Sequence, residues 1–131
     1  GHIPERDGIW VGLIIMEFMA KTGKSLNDLI EEVYEKVGAF SFDRDDLHIT
    51  EDKKWKIIAH CKTNPFKKIG DYNVLKVEDT DGYKFILDND AWIMIRPSGT
   101  EPVLRVYAQA SSAEEVRKVL DSAHKTMNDA V

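Results

Sequence analysis

Arg96 and Arg105 bracket a run of loop-forming and hydroxyl-bearing residues, RPSGTEPVLRVY at 96–107. Pro97 and Pro102 stiffen the chain there and remove two backbone donors. Gly99 lets the main chain approach a ligand closely. Ser98 and Thr100 add hydroxyl donors. A guanidinium fork matches phosphate oxygens two at a time. Successive N–H groups in a bent loop form a nest for an anion. Arg96, Ser98, Gly99, Thr100 and Arg105 together have the chemistry of a cradle for a phosphate monoester. A plainer reading stays open at this point. The same residue types make an ordinary turn, in which Arg96 pairs with Glu101.

The elements around the loop decide whether the cradle can close. AWIMI (91–95) precedes it and PVLRVYAQA (102–110) comes after it, and both read as strands. About seven or eight residues separate the two strand cores, against the two to five usual in hairpins. If the strands pair, the guanidinium groups converge at the loop mouth. Trp92 alternates with Met94 and Arg96 and is expected beneath the loop. Upstream, NVLKVED, Thr80-Asp81-Gly82 and YKFILD form a hairpin signal. FSFDRDDLHIT (40–50) reads as a strand bent at its Asp-rich middle.

Four helices complete the pattern. One runs over 7–22, capped by Asp7 and ended at Gly23, and a second runs from Ser25 to about Val37 with a capping box at Ser25 and Asp28. A short one over 51–61 carries Trp55, Ile58 and Ala59, and Asn64-Pro65 ends it. The last opens on a box at Ser112 and Glu115 and buries Val116, Val119, Leu120, Ala123 and Met127. The fold class expected is α+β, with an antiparallel sheet of about four strands and helices packed on one face.

Bulk properties narrow the function. At 131 residues the chain is long enough to bury a core, and a net charge of −5 argues against general nucleic-acid binding. The lysines between 53 and 68 come after an acidic run and are read as a solvated face. One cysteine, Cys61, rules out an internal disulfide and points to a reducing cytoplasm. It is expected to be a packed thiol. His48, His60 and His124 lack ligand spacing, and the acidic stretch 42–46 is read as a solvated turn, not a metal site. Trp10, Trp55 and Trp92 are assigned to the core. The apolar stretch at 9–20 is broken by Glu17 and too short for a membrane span. The helix at 7–22 is apolar nearly all round and expects cover on every side. With no starting Met, the chain is expected to be a piece of something longer, and the uncovered helix is expected to drive self-association.

RPSGTEPVLRVY resembles the phosphate-binding loop of the α-D-phosphohexomutases, the phosphoglucomutase/phosphomannomutase family, in order and in position between the last strands. GHIPERDG at 1–8 resembles the end of that family's sugar-recognition motif, Gly-Glu-x-Ser-Gly-His, and the residues just beyond it; Gly1 and His2 are the part of the motif that remains. FDRDDLHIT and DGYKFIL resemble segments ahead of the loop. The resemblance covers essentially the whole chain. It implies that 1–37 is the helical tail and linker of the third domain, and that 38–131 is the C-terminal phosphate-binding domain, of TATA-box-binding-protein-like fold. It assigns Arg96, Ser98, Gly99, Thr100 and Arg105 to substrate phosphate and His2 to the sugar. The implied partners are a hexose phosphate and the remaining three domains.

The family's catalytic serine motif, Thr-x-Ser-His-Asn-Pro, and its magnesium loop, Asp-Gly-Asp-x-Asp-Arg, have no match in this chain. The resemblance therefore implies Mg2+ only in the full-length enzyme and none in this chain, which would hold phosphate without transferring it. GHIPERDG leans towards the glucose and mannose mutases. The alternative is a stand-alone anion-binding or interaction module.

Overall fold

The computed structural model describes residues 7–131. The chain divides into two compact units, 1–39 and 40–131. The first contains α1 (Gly8–Thr22) and α2 (Leu26–Val37). Asp7 accepts from the Trp10 N–H at the start of α1, and Gly23, at φ 67°, ends it in the left-handed conformation. Ser25 and Asp28 form the complete reciprocal box of α2. No residue of either helix is buried, and Trp10, assigned to the core from sequence, is 53% exposed.

The second unit holds β1 (Ser41–His48), α3 (Glu51–Thr63), β2 (Lys68–Ile69), β3 (Tyr72–Glu78), β4 (Tyr83–Leu87), β5 (Trp92–Pro97), β6 (Val103–Ala110) and α4 (Ala113–Asp129). The sheet is antiparallel throughout, in the order β1-β6-β5-β4-β3-β2. The class is the α+β expected, but there are six strands instead of about four. β1 joins the sheet along its full length, with unbroken register from Ser41↔Ala110 to His48↔Val103 through the aspartates. β2 is two residues long, below the length at which alternation is readable.

Strand alternation separates the two faces. Phe85, Leu87, Ile93, Ile95, Val106 and Ala108 are fully buried and pack with Ile57 and Cys61 of α3 and the predicted stripe of α4. Every member of that stripe, from Val116 to Met127, is buried. The buried face of α3 differs from the one expected. It carries Lys54, Ile57 and Cys61, while Trp55 lies 53% exposed. At the start of α4, Ser112 accepts from the Glu115 N–H, but the Glu115 carboxylate is taken by Tyr72 Oη and Asn89 Nδ2, each at 2.9 Å. Burial and that carboxylate push the Tyr72 hydroxyl up to about 12. On the other face Phe42 approaches the Trp92 and Tyr107 rings, and Lys84 Nζ lies 4.4 Å from the Trp92 ring centroid. Trp92 thus supports an aromatic and cationic patch on the sheet.

Candidate functional site

β5 and β6 run antiparallel, so one register fixes both arginines. Arg96 stands directly opposite Arg105, and Asp46 of β1 stands opposite Arg105 on the far side. Directly opposed residues share a face. Asp46, Arg105 and Arg96 therefore form one row on the face turned away from α3 and α4. Pro97 closes β5 opposite Leu104, where it lacks only a donor at a strand end. The connection is consequently five residues, 98–102, shorter than the seven or eight expected, because Arg96 and Pro97 belong to the strand.

The loop is tightly closed. The Ser98 N–H donates to the Val103 carbonyl at 2.9 Å, and the Val103 N–H donates to the Glu101 carbonyl at 2.7 Å. The second bond spans one residue, Pro102, whose fixed φ suits such a three-residue turn. Ser98 is 5% exposed at the root of the loop, whereas Gly99 and Thr100 are exposed at its tip. Among the described residues, the N–H groups of Gly99, Thr100 and Glu101 find no protein acceptor.

Each guanidinium leans on its own carboxylate. Arg96 Nε lies 3.3 Å from Asp81 Oδ1, and Arg105 Nη2 lies 3.4 Å from Glu101 Oε2. The ordinary-turn reading of the sequence pairs Glu101 with Arg96, but the register gives Glu101 to Arg105. Both contacts are long for a charge-assisted hydrogen bond. Arg105 Nε is buried without a hydrogen-bond partner. The turn that carries Asp81 is held close by Gly82. A Cβ there would sit 2.8 Å from the Ile95 carbonyl oxygen and 3.1 Å from Arg96 Cβ, and its φ is +94°. Asp81 and Gly82 are legible in the sequence as a turn but not as neighbours of this site.

The loop is held from the helix side by a residue that the sequence places in a solvated lysine cluster. Lys54 is 2% exposed. Its Nζ donates to Glu51 Oε1 at 2.6 Å, to the Glu101 carbonyl at 3.0 Å and to the Ser98 carbonyl at 3.4 Å. The hydrogen bond from Lys54 holds the Glu51 carboxyl below the usual range. Trp55 Nε1 donates to the other Glu51 oxygen at 2.9 Å. Glu51, Lys54, Trp55 and residues 98–102 enclose a cleft of about 420 Å³, which the two arginines do not line.

Other candidates carry less. A cavity of about 470 Å³ between Phe66 and α4 is lined by His60, Lys68, Gly70, Asp71, Lys125, Thr126 and Asp129, with charges of both signs. Asp45, from the acidic stretch 42–46, accepts two hydrogen bonds from Arg117, at 3.1 and 2.5 Å, and Asp46 takes Arg44 at 2.9 Å. No cluster of three metal-ligating side chains occurs among the described residues, and no helix there is long and apolar enough to cross a membrane. His2, assigned to the sugar from sequence, lies outside the described residues.

Comparison with known proteins gives a consistent set of matches. The family described as phosphoglucomutase/phosphomannomutase, C-terminal domain, matches residues 49–125, and alpha/beta/alpha domain III of the same family matches residues 1–37. A phosphoglucomutase/phosphomannomutase of Thermococcus kodakarensis is 36% identical over 96% of this chain and 25% of its own length. Phosphoglucosamine mutases of Methanocaldococcus jannaschii and Methanococcus aeolicus are 31% and 36% identical, over 95% and 94% of this chain and 26% and 25% of their own. The chain thus spans about a quarter of the length of these curated relatives.

Proposed function

The chain belongs to the phosphoglucomutase/phosphomannomutase family, and on that premise we propose that it is the C-terminal substrate-phosphate-binding part of a hexose-phosphate mutase. The observation that carries the reading is the cross-strand pair of Arg96 and Arg105. Like charges directly opposed in a sheet repel. A dianionic phosphate accepting from both guanidinium groups turns that repulsion into binding. Asp81 and Glu101 hold the arginines by long, exposed contacts that a phosphate can replace. The unpartnered N–H groups of Gly99 and Thr100 and the hydroxyls of Ser98 and Thr100 supply the remaining donors.

The chemistry of the whole enzyme is taken from the family. A phosphoserine passes its phosphoryl group to the sugar phosphate, the bisphosphate reorients, and the other phosphate returns to the serine. The transfer moves phosphate between the 1- and 6-positions of the hexose. The 96–105 cradle holds whichever phosphate is not reacting. Binding energy from that remote group positions the reacting end. The same resemblance assigns His2 to the sugar of the whole enzyme. The serine and the magnesium loop lie on polypeptide beyond this chain, which alone binds and does not transfer. Asp45 and Asp46, engaged with Arg117 and Arg44, are poor candidates for a metal. A reducing cytoplasm suits Cys61 and the metabolic role. The choice of sugar is assigned mainly to the other domains; the relatives carry both phosphoglucomutase/phosphomannomutase and phosphoglucosamine mutase names.

Calorimetric titration tests the reading. Glucose 1-phosphate and inorganic phosphate are expected to bind in the millimolar range and glucose not at all, with Arg105→Ala abolishing the heat. Equal heats for glucose and glucose 1-phosphate, or an unchanged Arg105→Ala titration, would overturn it.

A further inference from the structure

Lys54 reaches the loop from α3, across 44 to 47 residues of sequence, and commits all three of its donors to fixed acceptors. Burying an ammonium ion is expensive unless it is fully paired. A position that needed only an apolar contact with the core would be served by a leucine.

The effect of the ammonium on the loop is set by peptide geometry. A trans peptide holds its C=O and N–H on opposite sides. Turning the Ser98 carbonyl inward onto Lys54 therefore aims the Gly99 N–H outward. Turning the Glu101 carbonyl inward exposes no donor at all, because the next residue is Pro102. One buried cation thus holds the Ser98 and Glu101 carbonyl oxygens toward the protein and turns the Gly99 N–H away from it. Carbonyl oxygens pointing outward would repel an anion.

We propose that Lys54, with Glu51 as its counter-ion, is the positioning residue that sets the anion-receptive shape of the 98–102 loop without touching the anion itself. The proposal deepens the phosphate reading given above and rests on it for the identity of the ligand, but the clamp can be tested without any ligand.

The first measurement uses the ligand-free chain. Wild type is expected to show a slowly exchanging Lys54 ammonium signal in a nitrogen–proton spectrum. Lys54→Met, which retains the apolar stem, is expected to speed hydrogen exchange at the Ser98 and Val103 amides by roughly tenfold or more, leaving Ile95 and Val106 in the strands unchanged. The second measurement titrates inorganic phosphate, for which Lys54→Met is expected to weaken binding by about tenfold. Glu51→Gln keeps the ammonium but loses its charge partner, and is expected to move both readouts the same way by less; it serves if Lys54→Met does not fold. Loop protection and phosphate affinity both unchanged would overturn the clamp. If wild type itself binds no phosphate, the exchange arm still decides: lost protection upholds the clamp while the ligand reading falls.

Discussion

Arg96 and Arg105 occupy directly opposite positions on β5 and β6, so that two permanent positive charges share one rung of the sheet. Opposed residues in an antiparallel pair have Cα atoms about 4.5–5.5 Å apart. Natural sheets place opposite charges or aromatic pairs on such rungs. Here each arginine has an ion pair with a carboxylate from a turn: Asp81 for Arg96 and Glu101 for Arg105.

This arrangement predicts that binding and stability move in opposite directions. Arg96→Gln removes the repulsion and is expected to leave stability unchanged or raise it by about 0.2–1 kcal/mol in phosphate-free buffer. Phosphate affinity is expected to fall by about 1.5–3 kcal/mol, the worth of a hydrogen bond to a charged group. Urea unfolding with and without phosphate measures both. Destabilisation by more than about 1 kcal/mol without phosphate would mean that the Asp81 contact outweighs the repulsion.

Gly82→Ala tests the support behind Arg96. The added Cβ would lie 2.8 Å from a main-chain oxygen that cannot move without disturbing β5, and the backbone sits at φ +94°. Alanine is expected to cost more than about 1 kcal/mol and to shift the Arg96 side-chain resonances. Gly99→Ala, at a glycine with open space around it, is expected to cost far less. Thermal unfolding of the two variants side by side compares them.

Acid is expected to weaken the second unit in two stages. His124 lies against Asp45, Arg117 and Asp121, with Nε2 3.1 Å from Asp45 Oδ2 but without hydrogen-bond geometry. Burial is the main cause that holds its pKa below the ordinary value, with Asp45 opposing. The unfolded histidine therefore takes up its proton first as pH falls. The stability it contributes is complete above about pH 6.5 and is lost as pH drops through the lower folded value. Asp45 is held low chiefly by the Arg117 hydrogen bonds. Its contribution is complete above about pH 3.9 and disappears at still lower pH. Melting temperature against pH should decline over both windows, and His124→Gln should flatten the upper one. A melting temperature that rises below about pH 6.5 would contradict this.

Cys61 is 1% exposed, and burial pushes its thiol up to about 12. It is expected to be inert to a disulfide reagent at about pH 8, modified only at the rate of opening of the core. Rapid labelling of the native chain would show that α3 is not seated as described.

Much of the frame was legible because its signals are local. The caps at Asp7, Ser25 and Ser112, the Asp81-Gly82 turn and the α4 stripe each depend on residues within a few positions of one another. The pairing of Arg96 with Arg105 needs a register, which alternation alone does not supply. Lys54 was hidden for a related reason. Two of its partners are main-chain carbonyls on a distant loop, so no side-chain type in the sequence announces them. Its neighbours Lys53 and Lys56 made it look like part of a charged surface. Trp55 misled in the opposite sense, since its bulk drew the buried face of α3 one position away from Lys54.

Whether the 96–105 loop receives phosphate is decided at its own nitrogen atoms, by chemical shifts. Inorganic phosphate and glucose 1-phosphate at millimolar concentration should move the Gly99 and Thr100 amides and the Arg96 and Arg105 Nε signals, with the 470 Å³ cavity between Phe66 and α4 unaffected. Stationary loop signals, or shifts centred on Lys68 and Lys125 at that cavity, would show that the cradle is not the phosphate site.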